Sequence, residues 1–338
     1  MNLALIGSEE LERFYKNKFY FSYSGINKLL FSPVMFYNHY VLQQREDSTD
    51  AHLVAGRALH CLLLEPGNFD KQFLTMPGKI PTDSQRKIID NLFKYHLSMG
   101  NNTLLLSDYS GEILTQLISS NLYQTLKTDQ QRLDKILTLE NIEYFDFLKA
   151  SLDKTVIDQV TLDNCNVSLQ ALKTNSDVRA LLQLDRDPEN TEIDVFNEQL
   201  LSTDDPKLPF GFKGILDNVV IDHEAKVIFI NDLKTTGKPI QDFPDAVQYY
   251  RYWIQAVIYS VLVADKYLVD LPDASEWKIK ITFIVIDKYN QVYPYQVSDE
   301  TLEKWAESFV ELVDKLQWHY ENKRYDLPYE LAIGNLKL

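Results

Sequence analysis

The segment GILDNVVIDHEAKVIFINDLKT, residues 214–235, brings two aspartates and a lysine to where they can meet. Its two Val- and Ile-rich runs read as the strands of an antiparallel hairpin, whose side chains alternate between faces. Asp232 and Lys234 then share a face with Ile228 and Ile230, and Asp217 shares one with Ile215, Val219 and Ile221. A tight turn at Asp222–Ala225 would set Asp217 opposite Ile230, with Asp232 as its diagonal neighbour. Such neighbours lie roughly 7–8 Å apart at Cα, close enough for two carboxylates to share a metal ion. On an apolar face, neighbouring like charges repel and lose hydration, so the arrangement serves stability badly. A hard divalent cation removes both costs. The hairpin therefore predicts a centre for Mg²⁺ or Mn²⁺, about two ions per site, bound by Asp217 and Asp232. Lys234 would orient or deprotonate the attacking water, or neutralise charge on a phosphoryl transition state. A bare D-x-K is more often a surface ion pair; Asp217 registered onto the same face tips the balance.

Three weaker signals accompany the hairpin. His60 lies on an apolar helix one turn after Gly56, where a core histidine is the ordinary reading and a metal-binding imidazole the functional one. Gln255 and Tyr259 are spaced i, i+4 on a helix, on one face with Gln248 and Tyr252, as a polar seam or a support for the site. Glu192 opens a strand, TEIDVF, and could add an oxygen near the metal, although a solvated strand end is the plainer reading.

The elements that must position these residues follow from periodicity. Ser22 caps a helix that breaks at Ser32-Pro33, and residues 51–65 form a second helix ended by Pro66-Gly67. Residues 192–197, 212–222 and 226–235 read as strands, 244–263 as a helix, 277–288 as a strand and 298–320 as an amphipathic helix. The expected fold class is mixed α/β: a central mixed sheet flanked by helices, with a helical insertion. The expected organisation is residues 1–75 as N-terminal helices of the core, 76–190 as the helical insertion, and 191–338 as the core with the hairpin.

With 45% hydrophobic residues and 41 aromatics from 20 Tyr, 17 Phe and 4 Trp, disorder is excluded. No apolar run approaches the roughly 20 residues of a membrane span, and the N-terminus lacks the basic segment of a signal peptide. Two cysteines make no disulfide framework, so a reducing cytoplasm is expected. The net charge of −15 opposes nucleic-acid binding, because non-specific affinity for phosphate is electrostatic. A groove needs only a local basic lining, for which Lys207, Lys213, Lys238 and Arg251, flanking the motifs, are candidates.

The order Gly56-x-x-x-His60, Gly214-x-x-Asp217, Asp232-x-Lys234-Thr235 and Gln255-x-x-x-Tyr259 resembles the RecE-like and RecB-like nucleases of the PD-(D/E)XK superfamily. GRALHCLLLEPGNFDKQF, Ser22-Tyr23-Ser24 with Ser32-Pro33, and ITFIVIDKYNQVYPYQV are similar to phage and prophage RecE-like exonucleases. The resemblance covers residues 20–75 and 190–320. It implies a restriction-endonuclease-like core and a Mg²⁺-dependent exodeoxyribonuclease acting on the ends of linear double-stranded DNA in recombination or repair. His60, Asp217, Asp232 and the Leu233 carbonyl would bind metal, Lys234 would be catalytic, and Gln255 and Tyr259 would support the site and the DNA end. It further implies a ring-shaped homo-oligomer and a single-strand annealing protein as partner. The iron–sulfur branch, which needs four cysteines, is excluded. The alternatives are an endonuclease or flap nuclease on the same fold, and an inactive DNA-end-binding subunit; the presence of Asp217, Asp232 and Lys234 speaks against the last.

Overall fold

The computed structural model describes residues 8–44, 50–100, 104–187 and 189–334; the N-terminal stretch 1–7 read above lies outside them. By compactness the chain divides into two units, residues 1–65 with 167–338, and residues 66–166. The insertion is thus narrower than the expected 76–190. Residues 167–190 belong to the first unit because Leu169, Leu172, Val178 and Leu182 bury against Leu59, Leu63, Leu233 and Ile284. Residues 66–75 fall in the second unit instead of the N-terminal helices.

The 66–166 unit is largely helical, as its polar helical pattern predicts. Asp83–Met99, Ser110–Ser119 and Leu139–Ala150 close around Ile89, Leu92, Ile113, Leu117 and Phe145. It also holds a short parallel strand pair, Phe73–Thr75 with Thr155–Ile157, too short to show a period in the sequence.

The other unit carries a six-stranded mixed sheet: β1 (Tyr20–Phe21), β2 (Ile193–Asp204), β3 (Gly211–Asp222), β4 (Val227–Thr236), β5 (Lys278–Asp287) and β6 (Val292–Gln296). Helix α1 (Tyr23–Phe31) starts at Ser22, whose Oγ accepts from Gly25 N, and ends at Ser32 before Pro33. Helix α2 (Ala51–Leu64) and α3 (Ser176–Leu181) contribute side chains to the apolar cluster that takes in Leu233 and Ile284. Helices α4 (Phe243–Tyr249), α5 (Tyr252–Tyr267) and α6 (Asp299–Asn322) supply the larger cluster with Val219, Ile221, Ile228, Ile230 and Phe283.

Three expectations change. The single helix over 244–263 is two, because Arg251 takes a left-handed backbone, φ 57°, between α4 and α5. Gln248 is therefore exposed on α4 and does not stack with Tyr252. The first strand extends past residue 197 to Asp204: among the described residues it pairs only with β3 along that length, so its other edge is left open and its sequence need not be apolar. The hairpin turn comprises residues 223–226, closed by Lys226 at φ 53° and by Ala225 N donating to Asp222 Oδ1. The register is consequently Val219 opposite Ile230 and Asn218 opposite Asn231. Continued one step, it sets Asp217 across from Asp232 instead of Ile230.

That step is where the sheet opens. Strand β2 occupies one edge of β3 along its length. On the other edge β4 pairs with residues 218–222 and β1 with Gly211 and Phe212, leaving 213–217 without a strand partner on that edge among the described residues. Among the described residues no helix is long and apolar enough to cross a membrane.

Candidate active site

Strict alternation fails at Asp217. Leu216, Val219 and Ile221 all bury in the same core, a spacing of three and then two, while Ile215 is 51% exposed. Asp217 therefore does not share a face with Ile215, Val219 and Ile221 as simple period-two reading has it. The partner strand is distorted at the same level. Asn197 pairs with Asn218 and Gln199 with Leu216, but Glu198 between them sits at φ 48°. A left-handed backbone at a non-glycine residue costs on the order of 1 kcal/mol, and such strain concentrates at functional sites. The result is that Glu198 and Asp217 leave the pleat together and reach His60 on α2. Asp217 Oδ2 stands 3.4 Å and Glu198 Oε1 4.0 Å from His60 Nδ1. Ligand atoms of His60, Glu198 and Asp217 all lie within 4.8 Å of one another. Gly56, one turn before His60, faces Thr235 Oγ1 at 3.4 Å from where its Cβ would be, which lets α2 lie against β4.

Across the gap, β4 keeps its period and presents Asp232 and Lys234 toward α5. Lys234 Nζ lies 2.5 Å from Asp232 Oδ2 and donates to Gln255 Oε1 at 2.9 Å. Because an ammonium only donates, the Gln255 amide is oriented: its Nε2 donates to Asp232 Oδ1 and to Tyr259 Oη, both at 2.9 Å. Tyr259 Oη in turn donates to the Ile215 carbonyl at 2.5 Å. The i, i+4 spacing thus bridges β4 and β3. Gly214 is required beneath it, since a Cβ there would meet Tyr259 Cε1 at 2.6 Å. The Lys234 ammonium also sits 4.6 Å over the Tyr252 ring.

The two groups meet at Leu233. Its N–H donates to Asp217 Oδ2 at 2.7 Å. In a strand a residue's N–H and C=O leave by the same edge, so the Leu233 carbonyl also faces the gap. One residue away, a row of buried amides holds the three strands in register. Asn218 donates to Asn197 Oδ1, Asn231 donates to Asn218 Oδ1, and Asn197 and Asn231 donate to the Leu64 and Leu181 carbonyls, at 2.8–2.9 Å.

Burial and charge set the protonation states. Burial raises Asp232, and the Asp217 charge adds to it, against the pull of Lys234 and His60. Burial would raise Asp217 too, but His60, Lys234 and the Leu233 N–H hold it below the usual carboxylate range. Burial lowers His60 and Lys234, yet the surrounding carboxylates more than offset this and keep both above their ordinary values. Burial and the Asp217 charge push Glu198 up to about 7.

Glu198, not Glu192, is the additional acid. Glu192 is exposed at the far end of the sheet, where its carbonyl accepts from His223 N beside the hairpin turn. Nothing in local composition marks Glu198. Registering β2 back from the turn at Asp205-Pro206 would have found it, opposite Asp217. Lys207, Lys213 and Lys238 are exposed, and Arg251 is half-buried at the α4–α5 junction; among the described residues none of the four is in an ion pair.

The donor set suits a hard divalent ion. Asp232 Oδ2 is buried and, despite the nearby ammonium, accepts no well-formed hydrogen bond. The nearby His60–Glu198–Asp217 cluster adds two carboxylates and an imidazole, donor types that Mg²⁺ and Mn²⁺ sites use. PD-(D/E)XK nucleases use divalent metals.

The chain belongs to the PD-(D/E)XK nuclease superfamily, whose sequence model matches residues 20–326. The chain is similar in structure to a candidate exonuclease from Eubacterium rectale, at 11% identity and a TM-score of 0.48, over 100% of this chain and 89% of that one. A sequence search of curated proteins finds no match.

Proposed function

We propose that this nuclease is a Mg²⁺-dependent exodeoxyribonuclease that hydrolyses phosphodiester bonds from the ends of linear double-stranded DNA. The observation that carries the hydrolytic reading is the convergence of His60, Glu198 and Asp217 on the strand gap beside the Asp232–Lys234–Gln255 network. Asp217, Asp232 and the Leu233 carbonyl would hold the metal, with His60 and Glu198 completing the set. A bound ion would supply Lewis acidity at the phosphate and a more acidic water. For that, His60 and Glu198 must give up their protons, so binding is favoured as pH rises.

Lys234 acts here as a cation. Its carboxylate neighbours favour its protonated form, so it would neutralise charge developing on the phosphate oxygens. Gln255 fixes its ammonium, and Tyr259 fixes Gln255 against the β3 backbone. Water adds to phosphorus as the bond to the leaving sugar oxygen breaks.

End-dependence reconciles this chemistry with a charge of −15. An open acidic monomer would hold duplex poorly at physiological salt. A closed homo-oligomer, with Lys207, Lys213, Lys238 and Arg251 toward its channel, would retain DNA by topology, and a single-strand annealing protein would take the product strand. The test is digestion of linear and covalently closed DNA, with Mg²⁺ or EDTA, alongside light scattering. Cleavage of linear DNA alone by an oligomer is expected; cleavage of closed circles by a monomer would favour an endonuclease.

A further inference from the structure

A line of aromatic rings leads out of the Lys234 site. Tyr252 lies under the Lys234 ammonium at 4.6 Å. Tyr250 stacks on Tyr252 with centroids 5.6 Å apart and planes at 29°, and Tyr249 packs edge-on against Tyr250 at 4.9 Å. Exposure rises outward, to 48% at Tyr250 and 76% at Tyr249. The backbone that carries the outer rings is anchored. The Tyr250 carbonyl accepts from Tyr23 Oη at 2.6 Å and from Asn27 Nδ2 at 2.9 Å, both on α1. The chain then turns through Arg251 at φ 57°, a conformation glycine would adopt without strain. The residue used instead, between Tyr250 and Tyr252 in the chain, carries a guanidinium with no ion pair among the described residues, close enough to act on Tyr23.

We infer that Tyr249 and Tyr250 form a stacking platform for one or two unpaired bases of the DNA strand entering the Lys234 site. The inference rests on the nuclease reading and specifies its substrate. Bases in a duplex are covered on both faces by their neighbours, whereas unpaired bases offer a π-face to an aromatic side chain without regard to sequence. Arg251 supplies the cation that a strand following the rings needs for its phosphates. The line's inner end, Tyr252 under Lys234, sets its direction: it delivers a strand to the lysine. The site would therefore take an end that has frayed or been separated, and would prefer a single-stranded tip to a blunt, fully paired one.

The experiment uses the full chain and a short single-stranded oligonucleotide carrying 2-aminopurine near its end, with Ca²⁺ in place of Mg²⁺ to slow turnover. Stacking quenches the fluorophore. The natural protein and Tyr249→Phe/Tyr250→Phe should quench it. Tyr249→Ala/Tyr250→Ala should lose the quenching and bind about 10- to 100-fold more weakly. Making the same nucleotide abasic should weaken the natural protein by a similar factor and leave the alanine variant unchanged, since the cycle isolates the ring–base contact. Hydrolysis of methyl p-nitrophenyl phosphate, which has no base, should be equal in all three proteins. Quenching retained in the alanine variant, or equal affinity of the natural protein for abasic and normal strands, overturns the platform; the second result would also be expected if the rings docked a protein. If the natural protein hydrolyses neither DNA nor the diester, the nuclease reading fails, and the quenching arm still decides the platform.

Discussion

On one side of the strand gap, Asp232, Lys234, Gln255 and Tyr259 form a chain in which nearly every donor and acceptor has an assigned partner. On the other, His60, Glu198 and Asp217 bring three ligand atoms within 4.8 Å, with the Leu233 N–H as the backbone donor between them. The first group is satisfied within the protein except at the buried Asp232 Oδ2, so most of its interactions stabilise the fold. The second crowds two carboxylates against one imidazole on strained backbone, so it costs stability until an ion arrives. Position and reactivity are thus largely divided: the α5 side holds Lys234 rigid, and the α2 side, with the open Asp232 Oδ2, offers ligand atoms.

The largest expected effect is at Lys234. Lys234→Ala should lower cleavage by on the order of 10²–10⁴, because a cation used in the transition state is lost. It should also destabilise the protein by about 3 kcal/mol in denaturant melts, by leaving Asp232 buried without its partner. Stability equal to the natural protein would show that the α5 side is not the rigid half. Asp217→Ala and Asp232→Ala should each abolish cleavage of linear DNA to the same order.

Gln255→Leu should reduce kcat by about 10- to 100-fold with little change in KM, since it positions Lys234 without holding DNA. Gln255→Glu should be worse, having placed a third carboxylate against Asp232. A KM effect alone would move Gln255 from the lysine to the substrate.

Glu198→Gln tests the other half, and its effects should oppose each other. Metal affinity by calorimetry should fall about tenfold or more, while the metal-free protein gains about 1–3 kcal/mol at pH 8. The pH dependence gives the sign. Glu198 and Asp232 have raised folded pKa values, so the folded state binds more protons than the unfolded between about pH 4.5 and 7. Metal-free stability therefore falls as pH rises through that window, and His60, also raised, acts in the same sense. Glu198→Gln should flatten that fall, read from melting temperatures between pH 5 and 8. A slope unchanged by the substitution would mean that Glu198 ionises as an ordinary surface acid. The smallest effect is at Tyr259→Phe, about 1 kcal/mol from the lost bonds to Gln255 and Ile215.

These differences also explain what could be read from the sequence. Asp232 and Lys234 lie on a strand that keeps strict period two, so their shared direction was legible. Gly214 and Gly56 were visible as motif letters, but their physical reasons, the Tyr259 ring and the Thr235 hydroxyl, come from elements distant in sequence. Glu198 was hidden because the distortion at Glu198 and Asp217 arises between two strands, and no single-strand pattern encodes it. The break at Arg251 escaped for a related reason: neither glycine nor proline marks it, and tertiary contacts from Tyr23 and Asn27 hold it. Glu192 was misplaced because an acid near a strand start was counted without the strand's length.

The asparagine row has a consequence for when this chain becomes capable of cutting DNA. Asn197, Asn218 and Asn231 precede, or follow, Glu198, Asp217 and Asp232 by one residue on three neighbouring strands. An amide both donates and accepts, so three in a row can pass hydrogen bonds from strand to strand; a carboxylate only accepts. A slip of one residue during strand pairing would push acids into the amide positions, where they could satisfy neither each other nor the Leu64 and Leu181 carbonyls. Misregistered chains are thus penalised at the same level of the sheet where Glu198, Asp217 and Asp232 must assemble. The strand register that satisfies the amides is the one that assembles the active site, so correct alignment of the central strands and a complete site go together.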